Sequence, residues 1–394
     1  MLVQKRGEQT KTKRILFDKF CFFLVYFLLI NIFCFGCHKN PTGDGENYDS
    51  RNVSRNSGGA GAPSMCIDNN GTVHLVWMDD TPGNWEIFYS FKTASGRWAT
   101  PANISNTDSA SYGPDIVSDP LNKIHVVWDE WVAEHNPEIL YIEKDWLGEW
   151  SDTVNISQTE TGDVMPDIDS DSYGTLYVVW MDGLGMGFCQ KEDNSWSTPE
   201  IFSPHSDLNP SCTVSNDGIL YVVGESHIPT GNREIYFYIR NKNRNWTEPR
   251  NLSNSPDYYS YLPEIVCDDQ GNVFASWCES IQGYSDIFFS VCSLSGNWSD
   301  PENISNTPLV SSFWISMDID ISGKIHLVNM EETGVDYDVI YKVRDVNGDW
   351  TDSENISQTD ELSAAPCVRV SDGMIHIAWI EGSPGKGDVY YVEK

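Results

Sequence analysis

The side chains of this chain best suited to chemistry stand in loop segments: Trp131 and His135, His205, His227 and Arg233, Tyr258, Tyr259 and Tyr261, and Phe313 with Trp314. Flat aromatic faces flanked by a few hydrogen-bonding groups suit a sugar ring or the side chains of another protein. His227 or Tyr258 beside Arg233 also offers a base next to a cation, which removal of a proton adjacent to a carboxylate would require. Carboxylates are far more numerous. Asp79, Glu130, Asp182, Glu225, Glu279, Glu331 and Glu381 recur once per sequence repeat, each where a strand gives way to a loop. One acid per repeat reads as a carboxylate that caps a loop by accepting backbone N–H groups. The functional alternative is an acidic ring that attracts cations.

Other clusters reduce to pattern. Asp167, Asp169 and Asp171 alternate ahead of Gly174 and could share one strand face. They match no calcium-loop spacing, and Asp171 is the repeat's own turn residue, so no metal and no cofactor are expected. His74, His125, His326 and His376 occupy one repeat position and interchange there with Tyr177, Tyr221 and Phe274, which marks them as packing residues. No residue is singled out as catalytic.

These loops hang on a repeat of about fifty residues. A Trp closing a turn recurs at Trp98, Trp150, Trp196, Trp246, Trp298 and Trp350, each followed by an Asn-Ile-Ser-like element such as Asn103–Ser105 or Asn303–Ser305. A seventh copy of that element, Asn52–Ser54, stands alone at the start. Between them lie a strand beginning near a repeat proline (Pro63, Pro114, Pro166, Pro210, Pro263, Ile315, Pro366), a second reading VHLVW or IHVVW, and a third reading EIFY or DVYY. Apolar alternation bounded by turn residues predicts four short antiparallel strands per repeat. The expected fold is all-β: a seven-bladed β-propeller of four-stranded antiparallel blades over residues 48–394. The last repeat stops after its third strand, so the orphan N-terminal element is expected to complete the last blade and close the ring. Gly224 replaces the second-strand Trp in blade four, which suggests open space beside the His227 loop.

Tyr89-Ser90 leading to Gly96-Arg97-Trp98, and Phe289-Ser290 leading to Gly296-Asn297-Trp298, follow the Ser…Gly…Trp order of the Asp-box, or bacterial neuraminidase, repeats. The chain resembles the sialidase-like β-propeller family over nearly the whole of residues 48–394. The resemblance implies a propeller; it implies sialidase activity only if three Arg gather to grip a carboxylate. Arg97, Arg240, Arg244 and Arg344 fall in third-to-fourth strand segments, away from the usual ligand face. Of the others, Arg55, Arg233 and Arg369 could converge, but the family's Arg-Ile-Pro motif is missing. The expectation is therefore a non-sialidase member that binds a glycan or an extracytoplasmic protein. The alternatives are a polysaccharide-active enzyme on the same fold, hydrolase or lyase, and a scaffold in an envelope complex.

Charge and export complete the picture. Among 394 residues, 58 Asp and Glu face 25 Lys and Arg, for a net charge of −33, which argues against nucleic acid. Residues 1–36 hold six cations and two acids, then an apolar run from Phe20 to Gly36, the pattern of a secretory signal. Phe35-Gly36-Cys37 resembles the end of a bacterial lipobox, with Cys37 as the acylated residue and residues 37–47 as a tether. Without the signal the chain carries −37. A monomer in the bacterial cell envelope, anchored at the outer membrane or cell surface, is expected. The seven cysteines beyond Cys37 have no regular spacing and read as buried thiols, not a disulfide framework. If Cys37 is acylated, Cys37→Ser moves the protein from the membrane to the soluble fraction on cell fractionation; retention in the membrane would mean an uncleaved anchor.

Overall fold

In a computed structural model the described residues run from 51 to 394, omitting 56, 134, 135, 146, 204–206, 228–231, 295, 335, 384 and 385. They lie in the compact unit Pro41–Lys394; the unit Met1–Asn40, with Cys37, and the tether fall outside the described residues. Every regular element described is a strand. Blade one pairs Ala60–Ile67, Val73–Asp79, Glu86–Lys92 and Ala102–Asn103 in that order, and six further antiparallel sheets repeat the plan. In blade three the outer strand is split into Ser195–Trp196 and Glu200–Ile201; in blades two, four, five and six the repeat Trp makes an isolated bridge beside the two-residue outer strand. The first strands adjoin in circular order, and that of blade seven (Ser363–Ser371) lies against that of blade one. Arg51–Asn52 pairs with Asp388–Glu393 as the outer strand of blade seven, so the chain's start and end share one sheet.

The serine of the Asn-x-Ser element explains why that tripeptide repeats. Ser105 Oγ accepts the Ile87 N–H at 2.8 Å and donates to Glu86, the acid that opens the third strand. Ser157, Ser253, Ser305 and Ser357 do the same for Ile139, Ile235, Ile287 and Val339. Ser54 repeats it across the closure, accepting from Val389 N at 3.0 Å and donating to Asp388 Oδ1 at 2.7 Å. The repeat Trp has a second task between blades. Trp150, Trp196, Trp246, Trp298 and Trp350 each stand edge-on to an aromatic ring of the preceding blade: Tyr89, Tyr141, Phe188, Phe237 and Phe289. Trp98 does so against Tyr391 of blade seven, 4.9 Å between centroids. Each such pair is worth about 0.5–1.5 kcal/mol beyond burial. Blade seven has no such Trp, and the Lys394 ammonium lies 4.6 Å over the Tyr341 ring instead.

Within blades, Trp77, Trp128, Trp180, Trp277 and Trp379 are almost wholly buried. The expected space at Gly224 is not there. A Cβ on Gly224 would stand 2.7 Å from Met186 Sδ, and Tyr238 is buried in that blade with its hydroxyl donating to Asp207 at 2.6 Å. Trp180 Nε1 makes the equivalent bond to Asp163 at 3.1 Å, so blade four keeps the buried donor and changes the side chain that carries it. The seven predicted buried thiols are free; six are buried and Cys267 is half-buried. The four repeat histidines are buried and do more than pack: each Nδ1 lies 2.6–2.8 Å from the hydroxyl of Tyr89, Tyr141, Tyr341 or Tyr391.

The first strands begin three or, in blade five, four residues earlier than the repeat proline suggested. Each is interrupted by a register shift at the proline or its equivalent. The residue before it is left-handed in all seven: Ala62, Gly113, Met165, Asn209, Leu262, Trp314 and Ala365, with φ between 44° and 59°. A bulge leaves one residue unpaired, so a proline there removes no ladder hydrogen bond. After the bulge, Ser64, Asp115, Asp167, Ser211, Glu264, Ser316 and Cys367 share one register position around the ring. Their side chains reach the next blade's inner strand. Asp115 accepts Ile168 N at 2.9 Å, Asp167 accepts Cys212 N at 2.7 Å, and the hydroxyls of Ser211 and Ser316 accept Ile265 N and Val368 N at 3.3 Å. One layer further, Asp169 and Asp318 accept Val214 N and Val370 N. Arg369 is the basic member of that layer, facing Asp318, Asp115 and Glu264.

Burial raises these carboxylates: Asp169 to about 6, Glu264 to about 7, and Asp167, beside Asp115, well above the ordinary range. Glu381, buried in blade seven, is pushed up to about 7. Such groups hold protons in the folded chain that the unfolded chain has released above about pH 4, so stability is lost as pH rises through their folded values. Asp68 and Asp320 behave oppositely. Burial opposes their ionisation, yet His74 and turn amides outweigh it for Asp68, and Ser322, a turn amide and His326 do so for Asp320, holding both near about 2. That contribution is lost only as pH falls from about 4 toward 2. Buried His376, whose proton is held less tightly than usual, offsets part of the trend below about pH 6.5. The melting temperature is therefore expected to fall between pH 5 and pH 8, about as the raised carboxylates ionise, and Glu264→Gln to flatten that slope. A melting temperature constant over this range would contradict it. Ser54→Ala is expected to destabilise by about 1–3 kcal/mol, as it leaves Asp388 and the Val389 N–H under-bonded; an unchanged urea midpoint would show that the clasp contributes nothing.

Candidate functional site

The ring has two ends. One carries the fourth-to-first connections and the second-to-third hairpins, where the bulges also lie; the other carries the first-to-second and third-to-fourth turns. The loop end of blades four to six gathers most of the residues singled out in the sequence. His227 closes the second strand of blade four, Leu220–His227, directly opposite Arg233, which opens the third, Arg233–Arg240. His227 is exposed, and burial of part of the ring, reinforced by Arg233, keeps its proton less tightly held than in free histidine. Arg233 Nη1 donates to Glu225 Oε2 at 3.2 Å. The Glu225 side chain is 1% exposed, and burial raises its pKa against the pull of Arg233, the Leu262 amide and Asn209.

Glu225 also ties blade four to blade five by accepting Leu262 N at 2.9 Å. Above it, Asn232 Nδ2 and Tyr258 N both donate to Ser255 O, at 2.9 and 3.1 Å, fastening the Arg233 hairpin to the loop that carries Tyr258 and Tyr259. Tyr259 is 53% exposed and Tyr258 half-buried. Tyr261, in the same strand, bonds Ser285 Oγ, and burial raises its hydroxyl pKa. Opposite Tyr261 lies Cys278, whose thiol receives the backbone N–H of Trp314. Trp314 is half-buried in its left-handed bulge and packs on the core shared by blades seven and one, and Phe313 meets Tyr337 edge-on at 5.3 Å. Blades four and five are thus tied into one arc at the loop end, and Phe313 and Trp314 stand on the blade-six strand beyond it. Trp131 does not join it: it sits in blade two, paired with Pro137, its N–H bonded to Ala110 O at 3.2 Å. His135 and His205 lie outside the described residues.

The acidic ring needs correction. Register places Asp79, Glu130, Asp182, Ser226, Glu279, Glu331 and Glu381 at one position, so Glu225 is one residue out of line and faces the other side of its sheet. The loss of Trp at Gly224 removed the landmark that aligned it. The six true members are not a solvent-facing ring: five are buried and Glu331 is half-buried. Backbone capping holds for Asp79, on Thr81 N, and Asp182, on Leu184 N. Glu130, Glu279 and Glu381 instead accept the indole N–H of the Trp two residues earlier, as Asp79 also does, because that buried donor has no other partner within reach.

Glu225 belongs with Met78, Asp129 and Cys278. Each of these side chains accepts the amide of the next blade's bulge residue: Gly113 N on Met78 Sδ at 3.3 Å, Met165 N on Asp129 at 3.2 Å, and Trp314 N on Cys278. Sequence reasoning missed Asp129 and Asn209, and with them the inner-wall acids Asp115 and Glu264; it named Asp167 but not its place on the inner wall. The available signals were a charge at a repeat position otherwise apolar, and an acid directly after the repeat proline. Asp167 and Asp169 do share a face, whereas Asp171 is spent on its turn, and no metal-ligating cluster occurs among the described residues. The three arginines that might have formed a carboxylate grip have separate partners: Arg55 Nε donates to Asn52 O, Arg233 to Glu225, and Arg369 lies in the inner wall.

No family model and no curated protein matches the chain. Among solved structures, an ulvan lyase of polysaccharide lyase family PL25 matches over 87% of this chain and 96% of its own, at 13% identity and a TM-score of 0.67. The same enzyme bound to -[GlcA(1-4)Rha3S]- matches at 12% identity over the same shares, also with a TM-score of 0.67. The BP39L lectin from Burkholderia pseudomallei matches over 83% of this chain and 97% of its own, at 15% identity and a TM-score of 0.61. At such identities the likeness is one of fold, and the chain shares its seven-bladed ring with carbohydrate-active and carbohydrate-binding propellers.

Proposed function

We propose that this chain is an exported, lipid-anchored propeller of the bacterial cell envelope that binds an extracytoplasmic glycan through the loop end of blades four to six. The observation that carries the proposal is that His227 and Arg233 pair at the mouth of the blade-four hairpin, which Asn232 and Glu225 fasten to the blade-five segment carrying Tyr258 and Tyr259. An exposed tyrosine face stacks on a sugar ring, while His227 and the outer donors of Arg233 fix hydroxyl or carboxylate groups. Burying Glu225 under Arg233 holds the guanidinium in place before a ligand arrives, which reduces the ordering cost of binding. The folds shared with a lectin and with an ulvan lyase support a saccharide over a protein as the partner.

A second reading, a polysaccharide lyase, is favoured by one feature. Partial burial and Arg233 make His227 give up its proton more readily than free histidine, so a base stands beside a cation. In such an enzyme Arg233 would neutralise a uronate carboxylate while His227 or Tyr258 took the adjacent proton. The two readings separate on a panel of neutral, uronate-containing and sulfated polysaccharides. Binding without cleavage is expected, with His227→Ala and Tyr258→Ala each weakening it by at least about tenfold while thermal unfolding stays unchanged. Appearance of unsaturated sugar product would establish the lyase instead, and binding that survives both substitutions would move the site elsewhere.

A further inference from the structure

At the turn end, away from the loop-end arc, a groove of about 190 Å³ opens between blades three and four. Its blade-four wall is the segment after the third strand, which brings Arg240, Lys242 and Arg244 together within five residues. In a chain with 58 acids and 25 cations, such a group runs against the composition. The carboxylates nearby do not consume it equally. Asp171 is taken up by Tyr173 N and Thr175 N at 2.9 Å and by the Tyr177 hydroxyl at 3.0 Å. Lys242 pairs with Asp217, and Arg244 with Glu192 at 2.6 Å, but all four side chains are half or more exposed. Exposed pairs of this kind contribute about 0–1 kcal/mol and exchange readily for another anion.

Arg240 is different. The residue is only 9% exposed, its guanidinium lies 4.6 Å over the Phe188 ring, and Nη1 donates to Gln190 Oε1 at 2.9 Å. Its buried Nε lacks a well-formed hydrogen bond and is held only in a long ion pair with Glu200 Oε1 at 3.6 Å, a half-exposed carboxylate that also accepts the Trp246 indole N–H. A guanidinium locked by stacking, with donors left over, is preorganised for a carboxylate or a sulfate. At the rim, the Tyr173 side chain stands 80% exposed, a platform for a sugar ring.

We propose that this groove is a second saccharide subsite, which takes an anionic sugar unit with its carboxylate or sulfate ester on Arg240 and its ring on Tyr173. It lies apart from the loop-end arc and does not depend on that arc binding anything. Isothermal titration of the full chain with D-glucuronate, inorganic sulfate and neutral glucose tests it. Glucuronate and sulfate are expected to saturate and glucose not to. Arg240→Gln weakens both anions by at least about tenfold. Tyr173→Ala weakens glucuronate several-fold and leaves sulfate unchanged. Because Arg240 packs on Phe188, the exposed double variant Lys242→Ala/Arg244→Ala is measured beside it, with weaker anion binding and an unaltered melting temperature expected. In an Arg233→Gln background, which removes any uronate contact at the loop end, the Arg240-dependent glucuronate binding is expected to persist. Equal affinity in the wild type, Arg240→Gln and the double variant overturns the assignment, as does the absence of saturable binding, or sulfate binding without glucuronate binding. Loss of glucuronate binding in Arg233→Gln alone also overturns it, and places the sugar on the loop end.

Discussion

The innermost strand of every blade has one edge without a strand beside it, and its amide groups on that edge cannot be left unbonded inside a protein. Here they are met by side chains of the preceding blade. Asp115, Asp167, Ser211 and Ser316 bond the amides at one level, Asp169 and Asp318 at the next, and Met78, Asp129, Glu225 and Cys278 bond the bulge amides above. The same bonds that complete each strand therefore join each blade to its neighbour. The bulge, its proline and its left-handed residue follow from this arrangement, since they turn the start of each inner strand so that its amide meets a side chain and not a strand.

That constraint also accounts for much of the acidity. Carboxylates serve as acceptors on the inner wall, at the start of the third strand opposite a serine, beneath the second-strand indoles, and in the turns headed by Asp68, Asp119, Asp268 and Asp320. A carboxylate offers two oxygens and several lone pairs and so satisfies two or three donors at once. The cost is desolvation, seen in the raised pKa values of Asp169, Glu264 and Glu381. Neighbouring Arg369 lowers that cost for Glu264 and Asp318.

The fold was legible because its determinants repeat: the turn Trp, the Asn-x-Ser serine and the strand alternation each occur in nearly every blade, and closure by Asn52–Ser54 followed from the strand each end lacked. The site was legible only in part. Loop aromatics could be picked out as departures from the pattern, and several of them stand at the loop end of blades four to six. But Trp131 belongs to another sector of the ring, and adjacency between blades, unlike strand order, leaves no period in the sequence. Glu225 was misassigned because a carboxylate one residue out of register looks the same in one dimension, while in a strand that step turns the side chain to the opposite face. Asp115 and Glu264 escaped notice because an acid directly after the repeat proline also reads as an ordinary turn.

The closure of blade seven has a mechanical consequence. Any pull on the chain ahead of Arg51 reaches the ring through a two-residue strand, the hydrogen bond donated by Val53 N–H to Val389 O, and the Ser54–Asp388 hydrogen bond. No edge-on Trp braces the blade six–seven seam; a lysine over Tyr341 stands in its place. Under tension this sector would open before the six others, by local release and not by global unfolding. The closing clasp of the ring is thus also its fuse.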